Sequence, residues 1–113
     1  MSNTLYSAAL TAFAKGEIVW KASGGSTVKA IIVDTAKYTF SDAHTNLSQV
    51  PAAARVGSPV ALTLVDAANG GVCDAADITF TGLTNAPTVE AIVLYKDTGT
   101  EATSTLIAYI DTG

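Results

Sequence analysis

The chain has 113 residues, with ten Asp and Glu against six Lys and Arg, one histidine and one cysteine. Its cations, Lys15, Lys21, Lys29, Lys37, Arg55 and Lys96, are scattered, which argues against nucleic-acid binding and a polybasic membrane anchor, since both need clustered positive charge. The lone Cys73 and lone His44 exclude an intramolecular disulfide and a structural zinc site, and leave one Cys–His pair, with no motif around either residue, as the available nucleophile–base couple.

The length is that of one domain, read here as spanning 1–113, and such a chain buries roughly 65% of the surface its unfolded form exposes. Hydrophobic residues reach 49% and charged residues only 14%, against about 25% charged in ordinary domains. Two readings follow: a domain simply rich in Ala, Thr and Val, or a subunit that buries further surface in an assembly. No apolar run is long enough to span a bilayer. The opening "MSNTLYSAALTAFAKG" contains Ala12-Phe13-Ala14, but it lacks a basic leader and Thr11 interrupts its apolar stretch, so no signal peptide is expected.

Residues 1–16 read as the one helix. Ser2 or Asn3 can cap it, Leu5, Ala9, Ala12 and Phe13 share one face, Lys15 suits its C-terminal end and Gly16 stops it. Its other side, with Ser7, Thr11 and Ala14, is neutral, so a helix this short must dock on the domain or on a neighbour. From 17 onward the pattern turns to strands. "EIVW" (17–20) is a short one, followed by a "KASGGS" turn. "TVKAIIVD" (27–34) is β-branched and apolar on both faces, as expected inside a sheet. The irregular segment 35–58 has neither period and is expected to hold a helical turn before Pro51. Its aromatics, Tyr38 and Phe40, suit core or interface better than a ligand platform. "PVALTLVDA" (59–67), "DITFTG" (77–82), "TVEAIVLYK" (88–96) and "STLIAYID" (104–111) complete the strands, with "NGG" (69–71) as a turn. The expected fold is mainly β: an antiparallel β-sandwich-like sheet with one N-terminal α-helix.

Asp-Thr-Gly occurs twice, at 97–99 and 111–113, and this tripeptide carries the aspartate of aspartic proteases. A dyad needs carboxylates about 3 Å apart. In a hairpin, Asp97 lies by the turn and Asp111 at the far end of the return strand, on the order of 20 Å away. A dimeric site would need an apolar strand end before the aspartate, and Tyr95-Lys96 stands there. Turn chemistry accounts for the motif: Asp accepts local backbone N–H groups and Gly supplies positive φ. "KDTGT" also echoes the phosphorylation loop of ion-pumping ATPases with two residues exchanged, but no phosphate loop accompanies it. "CDAAD" (73–77) lacks the spacing of a calcium loop and reads as a turn. No enzyme activity, cofactor or metal is expected.

"NTLYSAALTAFAKGEIVW" at the start, "AIIVDTAKYTF" (30–40), "LSQVPAAARV" (47–56) and "YKDTGTEATSTLIAYID" (95–111) together resemble small virion structural proteins of tailed bacteriophages. That group opens with an Asn-Thr-Leu-Tyr helix ending in Gly-acid-Ile-x-Trp and continues with a "VALVDT"-like strand. The resemblance covers most of the chain in order. It implies a non-enzymatic particle component made in the host cytoplasm and located in the virion, with other virion proteins and copies of itself as partners. A capsid decoration (cement) subunit is the leading expectation; a tail or neck component and a host-binding β-sandwich module are the alternatives. Members of the group continue past "AYID" with a further strand, so the last strand here is expected to leave an open edge. The expected assembly contacts are Trp20, Thr11, Ser7, Tyr38 and Phe40.

Overall fold

The computed structural model describes residues 4–68, 72–75 and 91–110. In chain order these form β1 (Thr4–Leu5), α1 (Ser7–Ala14), β2 (Val28–Val33), β3 (Arg55–Ala61), β4 (Leu64–Ala68), β5 (Val72–Ala75), β6 (Ala91–Lys96) and β7 (Leu106–Ile110). Single 3-10 turns lie at Leu47–Gln49, Ala52–Ala54 and Glu101–Thr103. Five strands make one sheet in the order β1-β7-β6-β2-β3, antiparallel at every junction, and β4 pairs with β5 separately. The fold is therefore mainly strands in an antiparallel sheet with, among the described residues, a single α-helix.

The register explains how the sheet is covered on both faces. Ile31, Val93 and Tyr109 lie side by side across β2, β6 and β7, as do Ala30, Leu94 and Ala108 one step along. Side chains alternate across a strand, so these two rows point to opposite faces. The first face carries Ile31, Val33, Val93, Tyr95, Leu106 and Tyr109, closed over by Tyr6 and by Tyr38, Leu47, Val50 and Ala54 of the irregular segment. The second carries Val28 and Ala108 with Ala9 and Ala12 of α1, Ile18 and Leu64, and Phe13, Trp20, Leu62 and Leu94 pack against it. β2 is buried on nearly every residue because strands flank it on both sides and layers cover both its faces. β7 carries a bulge opposite the Leu94–Tyr95 step. Its extra residue, Ile107, joins Ala108 in the cluster beneath α1, which fits the helix to the sheet.

The helix begins later than the apolar spacing implies. Thr4 and Leu5 pair with Tyr109 and Ala108, and the Tyr6 N–H donates to Ile107 O at 3.0 Å. With their backbone joined to β7, residues 4–6 cannot start a helix. Leu5 belongs to an edge strand and is 45% exposed, so it is no part of the helix face. Ser2 and Asn3, the expected caps, lie outside the described residues. Asp42 caps the helix instead, from a distant loop: its carboxylate accepts the Ser7 N–H at 3.0 Å and the Ser7 Oγ–H at 2.5 Å. At the other end Gly16 terminates the helix as expected. It takes φ of 75° while its N–H donates to Phe13 O and the Glu17 N–H to Ala12 O, the paired bonds of a Schellman motif.

Two expected strands are corrected. Residues 17–20 are not a strand, because Val19 uses both its backbone groups locally: its N–H donates to Ser26 Oγ and its C=O accepts the Ser26 N–H, each at 2.8 Å. Gly25 allows this fold-back, since a Cβ there would stand 2.3 Å from Lys21 O. Residues 59–67 are not one strand either. β3 starts at Arg55, the chain breaks at 62–63, and β4 turns away to pair with β5. The expected strand at 77–82 and turn at 69–71 lie outside the described residues. Within their described residues the strands expected at 27–34, 88–96 and 104–111 appear as β2, β6 and β7, and the helical turn before Pro51 appears at Leu47–Gln49; residues 88–90 and 111 lie outside the described residues.

Over residues 104–109 the outer edge of β7 and of the residues leading into it is not left open. β1 covers part of it, and the irregular segment covers the rest: Leu106 N–H donates to Thr45 O, Leu47 N–H donates to Ser104 O, and Asn46 bridges Thr105. The opposite edge, β3, carries Pro59 and a positive-φ Gly57 within a bulged register against β2. Both devices discourage strand addition there.

Candidate functional site

Three places can be weighed from their residues. The Asp97–Gly99 tripeptide forms the turn that leads from β6 toward β7. Asp97 Oδ1 accepts the Gly99 N–H at 3.0 Å, and Gly99 takes φ of 85°. Asp97 Oδ2 pairs with Lys29 Nζ at 2.9 Å. The Lys29 hydrogen bond and the Gly99 N–H hold the Asp97 carboxyl below the usual carboxylate range. A proteolytic aspartate shares a proton with a second carboxylate; this one accepts from an ammonium and a backbone amide, as turn chemistry requires. Ser104, buried in the same turn, donates its Oγ–H to Thr100 O at 2.8 Å and accepts the Thr98 N–H. Asp111 lies outside the described residues. Cys73 falls on β5 and His44 in the loop after Tyr38; the side chain of Cys73 lies outside the described part, as does Asp77.

Beside this turn Arg55 ties three segments together. Its guanidinium grips Glu101 through Nη1–Oε2 at 2.8 Å and Nη2–Oε1 at 3.0 Å, and donates to Val50 O and Leu47 O. Glu101 is held below its usual range by that pairing. Nothing in the sequence around Arg55 singles it out, because its charged partner, Glu101, lies 46 positions along the chain and its nearer partners, Leu47 and Val50, take part only through their carbonyls.

The second place is an open groove of about 420 Å³ between α1 and the turn before β7, with Thr11, Glu17, Thr45, Asn46, Thr103 and Thr105 among its walls. It offers hydroxyls, one amide and one carboxylate. No imidazole, thiol or second carboxylate lines it, so it holds no acid–base pair or metal set, and among the described residues no group of His, Cys, Asp and Glu is placed to hold a metal ion.

The third is the outward side of α1. Ser7, Leu10, Thr11 and Ala14 are exposed there, Leu10 to 56%, and the helix sequence SAALTAFA contains no charge. Solvent-facing helix surfaces ordinarily carry charges. Of the residues singled out from sequence, Thr11 and Ser7 lie on this side, although the Ser7 hydroxyl is engaged by Asp42. Trp20 is half-buried against the cluster beneath α1. Tyr38 is only 3% exposed, and Phe40 packs on Tyr6 and Tyr109 with ring centroids 5.0 and 5.1 Å apart; both serve the core. Leu10 was missed by sequence reasoning, and its signal was available: an apolar residue out of phase with Ala9, Ala12 and Phe13.

No protein-family model, curated protein or solved structure matches the chain. Among the described residues no helix is long and apolar enough to cross a membrane.

Proposed function

We propose that the protein is a non-enzymatic structural subunit of a tailed-phage particle, a capsid decoration protein that stabilises the head through contacts with the shell and with its own copies. The observation that carries this reading is the uncharged outward face of α1 with Leu10 more than half exposed, a surface that gains free energy by being covered. The resemblance of "NTLYSAALTAFAKGEIVW" and "YKDTGTEATSTLIAYID" to phage virion proteins supports the particle assignment. A decoration subunit works by burying such surface across joints between shell subunits, and many symmetric copies add their binding free energy to the stability of the whole. Burial of Tyr38 in the core and packing of the half-buried Phe40 against it favour this reading over a glycan-binding module, which would present aromatic rings at the surface.

Quantitative mass spectrometry of purified virions against the major capsid protein tests it. A ratio near one, or a simple fraction of it, is the expected result. A few to some tens of copies per particle would move the protein to the tail or neck, and absence from the virion would overturn the structural reading.

A further inference from the structure

The outward strip of α1 consists of Ser7, Leu10, Thr11 and Ala14, all exposed, at the i, i+3, i+4 and i+7 spacing that one helix lays against another. It reads alike in both directions, with a small residue at each end and the two larger ones in the middle. The large apolar side chains left in solvent gather around it. Leu10 is 56% exposed, Leu5 just before the helix 45% and Val19 just after it 38%.

The helix itself is uncharged, but its two ends differ. At its start the exposed Asp42 accepts the Ser7 N–H at 3.0 Å. At its finish stands Lys15, with a side chain 63% exposed and only loosely paired to Glu17 at 4.0 Å. Lys96 Nζ donates to Glu17 O at the same end, so two ammonium groups face one carboxylate there. A second α1 laid parallel to the first would set Asp42 beside Asp42 and Lys15 beside Lys15. Laid antiparallel about a two-fold axis through the middle of the strip, it sets each Lys15 beside the partner's Asp42 and opposes the two helix dipoles. The same axis brings Leu10 against the partner's Leu10 and Ser7 across from the partner's Ala14. Charge and shape thus select one orientation.

We propose that the outward strip of α1 is a two-fold contact between two copies of this chain, packed as an antiparallel helix pair and closed at each end by an ion pair between Lys15 and the partner's Asp42. This pairing rests on the reading of α1 as an assembly surface and names what covers it. Its strength follows from its size. Eight residues of helix span about 12 Å, and such a face buries on the order of 300 Å² per copy, short of the roughly 800 Å² of a standard interface. The contact is weak between free molecules and fills where copies are held close together.

Sedimentation equilibrium of the purified chain, free of particles, tests it: a reversible dimer with a dissociation constant of about 100 µM is expected over a range of roughly 10 µM to 1 mM. Leu10→Lys sets two ammonium groups against each other across the axis and is expected to stay monomeric throughout. Lys15→Gln and Asp42→Asn, the second keeping an oxygen for the Ser7 N–H, are each expected to weaken the dimer about fivefold, because each removes two exposed ion pairs. The double variant is expected to be no weaker than either alone, since both changes remove the same pairs. Losses that add in the double variant would overturn the antiparallel arrangement. An unsubstituted chain still monomeric at the top of the range would overturn the pairing, as would a dimer that Leu10→Lys leaves intact. A monomeric chain present in virions at the expected ratio would give the strip to a shell subunit instead. A dimer absent from virions would leave the pairing standing and overturn the particle reading alone.

Discussion

At the scale of single residues, the polar side chains of this protein act as fasteners between distant segments. Asp97 secures the β6–β7 turn to β2 through Lys29, with side chains 25% and 32% exposed respectively, so the ion pair is worth little in water. Asp97→Asn keeps an acceptor for the Gly99 N–H and loses only the charge. Its expected cost at neutral pH is less than about 1 kcal/mol, read from urea denaturation. The pH dependence has a definite sign: Asp97 is depressed when folded, so its contribution is present above the ordinary aspartate range and is lost as pH falls through the lower folded value. The variant is therefore expected to show a shallower loss of stability on acidification below about pH 4. An unchanged acid limb would mean that the Lys29 pairing does not persist in solution. The tripeptide was legible as a turn because its chemistry is local. The Arg55–Glu101 pair was not, because 46 positions separate its members.

At the scale of elements, α1 illustrates how local signals and tertiary pairing divide the work. Gly16 was readable as a stop because the left-handed backbone it supplies is a property of that residue alone. A Cβ at Gly16 would meet nothing within 4 Å, so Gly16→Ala isolates the backbone cost. The expected destabilisation is about 1–2 kcal/mol, seen as a lower urea midpoint with an unchanged slope. Gly16→Asn is expected to recover part of it, because asparagine tolerates positive φ; asparagine no better than alanine would refute the assignment. The helix start was misplaced for the complementary reason. Thr4 and Leu5 carry no strand signal of their own and become a strand only because β7 offers them an edge. The strand expected at 17–20 fails likewise, through the Val19–Ser26 bonds that Gly25 permits.

At the scale of the whole molecule, the sheet is enclosed by α1 on one face and by the irregular segment on the other, and the same segment seals the edge of β7. The long stretch without periodicity is thus a structural layer, and its irregular path lets it reach a face, an edge and a helix end in turn. Among the described residues the most exposed large apolar side chain is Leu10, ahead of Leu5, Val19 and Val65. Leu10→Lys is expected to change folding stability by less than about 0.5 kcal/mol, as measured by urea denaturation, and to reduce incorporation into particles when the variant competes with the unsubstituted chain. Undiminished incorporation would remove α1 from the assembly surface.

The sequence by itself determined the mainly antiparallel sheet, the central position of 27–34, the strands within 88–96 and 104–111, the end of the helix and the turn at 97–99. Each of these is written in neighbouring residues, through side-chain period, β-branching or the backbone freedom of glycine. Only the tertiary structure decided that residues 4–5 are strand, that Asp42 caps α1, that Arg55 joins two turns, and that Tyr6, Tyr38 and His44 meet in one hydrogen-bond chain. Those features arise where donors and acceptors from remote segments satisfy one another in the folded chain, and no local pattern encodes a partner that lies thirty or more residues away.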